Sequence, residues 1–159
     1  MTKNDFYTFN EYMKKEDNSL TASMEDYLEM IYRLSLHTGF TRIHELSDAL
    51  NVQPPSATKM VQKLAEIKLL KYEKYGVVVL EEDGKILGET LLNRHNVIES
   101  FLRILDVSES EVLEETEKIE HTISKQTTKC FQDFVQFIKA NPDIVIEFKT
   151  YRKALTWYR

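Results

Sequence analysis

The sequence predicts a mostly α-helical protein, with an N-terminal winged helix-turn-helix domain followed by an all-helical C-terminal domain. The 159 residues include only 4 Gly and 3 Pro, which is too few turn residues for a sandwich or barrel of many short strands. Apolar residues recur at helical spacing along most of the chain. Two β-prone runs on either side of Gly76 interrupt that spacing and indicate one hairpin.

Three helices are predicted before the hairpin. The first covers residues 24–37, with Ser23 as its N-cap, and stops at Gly39. The second is short and ends in a turn at Asn51. The third opens at Pro54, because proline is tolerated in the first turn of a helix. Two short helices joined by a turn are typical of a helix-turn-helix.

The hairpin is predicted from residues 70–75 and 77–80, which places a wing directly behind the helix-turn-helix. A long helix over residues 82–105 then leads out of the winged domain. A capping box at Ser108 starts the next helix, a further helical pattern follows, and the last helix begins at Pro142.

We expect three regions. Residues 1–22 form a polar arm that carries several aromatic side chains. Residues 23–82 form the winged-helix domain, and residues 83–159 form the helical domain.

Composition excludes several classes of protein. The single cysteine, Cys130, cannot form an intrachain disulfide or a thiolate zinc site, and we expect it to be buried. No apolar run reaches the length of a membrane span, and the N-terminus lacks the apolar core of a signal peptide, so a cytoplasmic location is expected. The net charge of −5 argues against a chain that coats nucleic acid along its whole length.

Six potential metal ligands lie on three predicted helices. The first helix carries two carboxylates three positions apart, and the long helix carries one histidine. A strongly acidic helix adds two carboxylates and a histidine at i, i+3 and i+4, which share one helix face. The six residues are Asp26, Glu29, His95, Glu117, Glu120 and His121.

Each of these three groups alone has an ordinary structural explanation: charges at a helix start, a half-buried histidine and a solvated acidic face. Together they indicate a divalent cation, because converging carboxylates repel one another without one. Oxygen and imidazole donors without thiolate suit Mn²⁺ or Fe²⁺, and six ligands could hold two ions.

The third helix has the pattern of a DNA-reading helix. Its N-terminal half would enter the major groove, where small polar side chains specify bases and lysines contact phosphates. One such domain buries too little surface for tight specific binding, so a dimer on a palindromic site is expected. The expected DNA contacts are Pro55, Ser56, Thr58, Lys59, Gln62 and Lys63 of the helix, and Lys74 and Tyr75 of the wing.

Five segments resemble the diphtheria-toxin-repressor-like metalloregulators, most closely their manganese-responsive branch. They are SMEDYLEMIY (23–32), PPSATKMVQKL (54–64), YEKYGVVVL (72–80), RHNVIESFLRIL (94–105) and EKIEH (117–121).

The resemblance covers about residues 23–155 and matches all six metal-ligand positions of that branch. It implies a homodimeric repressor of metal-uptake genes in which metal fixes the spacing of the DNA-reading heads. It implies manganese rather than iron, because iron-responsive relatives carry methionine and cysteine where Asp26 and Glu120 stand. One departure is Glu81, which replaces the usual threonine after the last wing strand.

Two other kinds of function are compatible with these residues. A winged-helix regulator could answer to another metal, such as Fe²⁺, or to a non-metal ligand. A dimetal carboxylate enzyme is the less favoured alternative, because such sites use Glu-x-x-His on two helices. Leu92 and Lys118 occupy the positions where that pattern needs glutamate, so we expect no enzymatic activity.

Overall fold

The structure is a computed structural model of the protein, and it describes residues 20–156. Among these residues it contains seven α-helices and one three-stranded antiparallel sheet. The elements in chain order are α1 (Ala22–Ser35), β1 (Thr41–Arg42), α2 (Ile43–Ala49), α3 (Pro54–Glu66), β2 (Leu70–Tyr72), a 3₁₀ turn (Lys74–Gly76), β3 (Val77–Leu80), α4 (Glu82–Ile104), α5 (Glu109–Glu120), α6 (Lys125–Ala140) and α7 (Pro142–Thr156).

The mostly helical winged helix-turn-helix architecture is confirmed. The described residues divide into two compact units after Glu89, within α4. The arm expected over residues 1–22 lies outside the described residues except for its last three. Within residues 20–156, every helix is too short or too polar to span a bilayer.

The first unit packs α1, α2 and α3 against the sheet, whose strand order is β1–β3–β2. Thr41 pairs with Val78, and Leu70 pairs with Leu80. Strand β1 was not predicted, because two residues are too short to show an alternating pattern. The core side chains of this unit are Tyr27, Leu28, Ile31, Leu46, Ala57, Val61, Leu64, Leu70, Val78 and Leu80.

The first helix begins two residues earlier than predicted. Thr21, not Ser23, is its N-cap, and the Thr21 hydroxyl oxygen accepts from the Met24 amide at 3.3 Å. The prediction of Ser23 was therefore wrong: two hydroxyl residues compete for this role, and the chain turns into the helix at the first of them.

The turn at the tip of the wing hairpin contains two residues in the left-handed region of backbone conformation. The strand predicted to reach Tyr75 ends at Tyr72, and residues 74–76 form the 3₁₀ turn. Tyr75 and Gly76 have φ angles of 62° and 73°. Positive φ at consecutive residues is what a tight hairpin needs, but an aromatic residue rarely adopts it.

Two glycines let α4 pack closely within the first unit. A Cβ on Gly84 would lie 1.9 Å from the Leu69 carbonyl oxygen, and one on Gly88 would lie 2.7 Å from the Tyr32 Cβ. Any larger residue at these positions must displace its neighbours.

The second unit is built on a core of Ile98, Leu102 and Val112. Phe101 stacks on Phe131 with ring centroids 4.2 Å apart. Cys130, next to Phe131 on α6, is exposed, so the expectation that it is buried was wrong. Adjacent helical positions point about 100° apart, so one can face the core while the next faces solvent.

The last helix, α7, is joined to the end of α4 by polar contacts. Arg152 donates to the Leu105 carbonyl and, at 3.2 Å, to that of Asp106, while Lys149 lies 3.6 Å from the Asp106 carboxylate. Basic side chains here satisfy carbonyls at a helix C-terminus.

Candidate metal centre and nucleic-acid interface

Helix α3 has one buried face and one exposed face. Ala57, Val61 and Leu64 are fully buried at helical spacing. The opposite face is solvent-exposed and carries small polar, amide and basic side chains without a carboxylate in the first turn. Its exposed members are Pro55, Ser56, Lys59, Gln62 and Lys63, all of which the sequence predicts as DNA contacts.

Thr58 differs from the other predicted DNA contacts on α3. It is half-buried, and its hydroxyl donates to the Pro54 carbonyl one turn earlier at 3.0 Å. Its proton is therefore used within the helix, so the hydroxyl can only accept from a base, while its methyl group can contact a thymine methyl.

Glu81 replaces the threonine that is usual in the resembling family, and its negative charge is paired within the first unit. Its carboxylate lies 3.0 Å from the Lys71 ammonium on the adjacent strand. The pair is exposed, so it contributes little to stability, but it removes one free positive charge from the base of the wing.

The wing tip presents Lys74 and Tyr75 to solvent. Tyr75 is 92% exposed, the largest value among the exposed large hydrophobic side chains of the described residues. Both residues are predicted DNA contacts, and the structure leaves both side chains exposed.

The four predicted ligands of the second unit lie together. His95 Nδ1 is 3.1 Å from a Glu120 carboxylate oxygen and 3.6 Å from one of Glu117, and His121 Nε2 is 3.7 Å from the other Glu120 oxygen. Glu117, Glu120 and His121 each offer one ligand atom within 4.8 Å of the others.

Burial separates this cluster from an ordinary acidic surface. The side chains of Glu120 and His95 are 1% and 5% exposed. A carboxylate this deeply buried is costly unless a partner compensates it. The donor set is oxygen and imidazole only, which fits Mn²⁺ or Fe²⁺. Because two carboxylates and two imidazoles lie close together here, the second unit has a donor set that suits a divalent transition-metal ion.

The acidic residues on the outer face of α5 are exposed and paired with a lysine, unlike the buried Glu120. Lys118 lies between Glu114 and Glu115, at 3.1 Å from the latter, and hydrogen bonds to these carboxylates raise the lysine pKa. The same contact lowers the pKa of Glu114. The solvated-face interpretation therefore holds for these acids but not for Glu120.

In the first unit, Asp26 and Glu29 lie three positions apart on α1, where Asp26 is half-buried and Glu29 is 7% exposed. Glu29 forms an ion pair with Arg33 one turn later. Sequence reasoning missed this partner, although its i, i+4 spacing is a visible signal.

Two family models match successive parts of the chain. Residues 19–78 match the family model described as "Iron dependent repressor, N-terminal DNA binding domain". Residues 81–146 match "Iron dependent repressor, metal binding and dimerisation domain".

The chain is similar to two curated relatives named HTH-type transcriptional regulator MntR. The one from Bacillus pumilus (strain SAFR-032) is 41% identical over 133 residues, which cover 84% of this chain and 92% of the relative. The one from Lysinibacillus sphaericus (strain C3-41) is 43% identical over 125 residues, covering 79% and 90%.

Solved structures show the same fold. The manganese regulator SloR is 31% identical with a TM-score of 0.63, over 72% of this chain and 54% of SloR. A manganese-dependent transcriptional repressor in complex with manganese is 26% identical with a TM-score of 0.62, over 72% and 53%. The match thus spans about half the length of these solved chains. The two family models together cover most of the chain, which therefore belongs to the iron-dependent repressor family of metal-dependent, DNA-binding transcriptional regulators.

Proposed function

We propose that the protein is a manganese-activated repressor of metal-uptake genes, which acts in the cytoplasm as a homodimer on a palindromic operator. The observation that carries the proposal is the buried pair of Glu120 and His95, with Glu117 and His121 beside it. This cluster lies in the unit that matches the family's metal-binding domain. The relatives named as manganese regulators support the choice of metal.

The proposed ligand set has six members and combines residues of both units. When bound, the metal supplies the positive charge that lets several carboxylates share one site. Six oxygen and nitrogen donors could hold two ions per subunit, with Fe²⁺ as the alternative metal. The proposed ligands are Asp26, Glu29, His95, Glu117, Glu120 and His121.

Metal binding and DNA binding are coupled in this proposal because the ligands belong to both the DNA-binding unit and the metal-binding unit. A ligand that prefers one arrangement of the chain shifts the population toward that arrangement. In a homodimer, the selected arrangement sets the spacing of the two DNA-reading heads.

The DNA contacts proposed are those on the exposed face of α3 and at the wing tip. Ser56, Thr58 and Gln62 read bases, while Lys59 and Lys63 contact phosphates. Pro55 lies against the groove at the start of the helix, and Lys74 and Tyr75 of the wing contact the DNA backbone.

The experiment is a DNA-binding titration, followed by fluorescence anisotropy of a labelled duplex. The duplex carries the palindrome that the purified protein selects from a random-sequence library in the presence of Mn²⁺. Binding is measured with chelator and then with Mn²⁺, Fe²⁺ under anaerobic conditions, or Zn²⁺. A typical coupling free energy of about 1–3 kcal/mol predicts an affinity about 5- to 150-fold higher with Mn²⁺.

A matched pair of variants on α5 tests the ligand set. Glu120→Gln keeps the shape of the buried side chain but removes its charge, and we expect it to lose the metal response while the affinity with chelator is unchanged. Glu114→Gln makes the same chemical change on the exposed face of the same helix and should respond as the wild type does. If Glu120→Gln bound DNA in Mn²⁺ as tightly as the wild type, the proposed site would be wrong.

A further inference from the structure

One side chain joins the wing tip to the helix-turn-helix within the first unit. Arg42 Nη1 donates to the backbone carbonyl of Tyr75 at 3.4 Å, although the two residues are 33 positions apart. The Arg42 guanidinium also lies over the Phe40 ring, 5.7 Å from its centroid. A carbonyl acceptor and an aromatic face together hold a guanidinium in one orientation.

The backbone of Arg42 is itself held in place. Its amide donates to a Glu45 carboxylate oxygen at 2.9 Å, and the Thr41 hydroxyl donates to the same oxygen at 3.0 Å. Arg42 is also the register partner of Val77 in the sheet. It is the N-cap of α2, the first helix of the helix-turn-helix, so its side chain starts from a rigid part of the domain.

The residue that Arg42 contacts has an unusual conformation. Tyr75 is in the left-handed region, with φ 62° and ψ 26°, and the tyrosine ring is almost fully exposed. An L-residue with a large side chain is disfavoured there, and an exposed ring gains no packing in return. Such a conformation is maintained only when the surrounding contacts impose it, and this combination is typical of a functional tip.

We propose that Arg42 is a positioning residue for DNA binding. By holding the Tyr75 carbonyl, it keeps the wing tip in its left-handed turn, so that the Tyr75 ring points outward and contacts DNA beside the groove that α3 reads. The Tyr75 hydroxyl donates to a phosphate oxygen, and the apolar face of the ring packs on the neighbouring sugar. Arg42 itself faces the Phe40 ring and the tip carbonyl rather than a phosphate. This inference rests on the proposed function, because it requires the wing to contact DNA.

The test uses the full chain with Mn²⁺ and two duplexes that share the selected palindrome. One extends past the palindrome by a helical turn on each side, and the other ends at it. Arg42→Ala, Tyr75→Ala and the double variant are compared with the wild type. Lys85→Ala removes an exposed charge from α4 and serves as the control.

On the extended duplex, we expect Arg42→Ala and Tyr75→Ala each to weaken binding by about threefold to tenfold, the size of one lost hydrogen-bonded contact. The double variant should bind no more weakly than the weaker single variant, because Arg42 acts through Tyr75. On the short duplex, all variants should bind as the wild type does. A defect in folding would weaken binding to both duplexes equally.

A second readout needs no DNA. In Arg42→Ala, the backbone amides of residues 74–76 should exchange with solvent faster than in the wild type, while those of α3 should not change. Lysine at position 42 should restore neither the exchange rate nor the affinity, because an ammonium lacks the planar surface that lies on Phe40.

Several outcomes overturn the inference. Multiplicative losses in the double variant would show that Arg42 contacts DNA independently of Tyr75. Wild-type affinity of Arg42→Ala on the extended duplex would show that the contact positions nothing. Full rescue by Arg42→Lys would show that a positive charge at this position is sufficient and that the orientation of the guanidinium on Phe40 is not required. Failure of the wild type to bind either duplex in Mn²⁺ is a different result, because it would refute the proposed function itself.

Discussion

Replacing Gly84 with alanine should destabilise the protein, although alanine is the better helix former. Gly84 is buried in the first turns of α4, where an added Cβ would lie 1.9 Å from the Leu69 carbonyl oxygen and 2.9 Å from its carbon. No side-chain rotation relieves this contact, because the atoms it meets belong to the backbone. Either α4 or the chain leading into β2 must move.

The magnitude follows from three terms. Alanine in place of glycine within a helix gains about 1 kcal/mol. Overpacking against a fixed neighbour costs about 1–3 kcal/mol. The Leu69 carbonyl also accepts from the Glu81 amide at 3.0 Å, and loss of that hydrogen bond costs about 1 kcal/mol more. The net expectation is a decrease of about 1–3 kcal/mol in the free energy of unfolding.

The assay is urea unfolding followed by circular dichroism. Chelator is present and the protein concentration is fixed, because metal binding and dimerisation both shift apparent stability. Lys85→Ala, one position further along the same helix and exposed, should change the free energy by less than about 0.5 kcal/mol. If Gly84→Ala raised the midpoint by the amount expected from helix propensity alone, the close approach of α4 to Leu69 would be refuted.

Two further predictions concern the second unit. Ser124→Ala should cost about 1 kcal/mol, because the Ser124 hydroxyl oxygen caps α6 by accepting a backbone amide at 3.1 Å. Ser108→Ala should cost less in the same urea-unfolding measurement, because the Ser108 hydroxyl donates to the Glu111 carboxylate at 2.6 Å and accepts from no backbone amide of α5. Equal losses would contradict this distinction. By NMR titration, the Glu114 carboxyl should ionise below its usual pKa and return toward it in Lys118→Ala. Because the folded-state pKa is the lower one, this contact stabilises the protein above the unfolded-state pKa and loses its effect as the pH falls through the folded-state value.

The helix-turn-helix could be predicted because its signals are local. Asn51 ends α2 with a φ of 53°, as its position in the sequence indicates. Pro54 occupies the first position of α3, and the apolar spacing of α3 gives its buried face. Each of these depends on the conformation of a residue and its near neighbours, which the sequence alone specifies.

Predictions were less accurate where several local solutions compete. Thr21 and Ser23 are both good caps, and the path of the chain before the helix decides between them. Strand β1 is only two residues long and exists because β3 lies beside it. The solvent exposure of Cys130 depends on which side of α6 packs on Phe101, a choice that the tertiary structure makes.

The types of the candidate ligands, and the spacing that puts Glu117 and Glu120 on one face of α5, can be read from the sequence because helical periodicity is a local property. The packing of α4 on α5 brings His95 against Glu120, 25 residues away, and buries both side chains, while Glu117 remains half exposed. Packing within the first unit likewise brings the Arg42 guanidinium within hydrogen-bond distance of the Tyr75 carbonyl. Burial and long-range pairing depend on how distant elements pack, and the same local pattern is compatible with several packings until the core selects one.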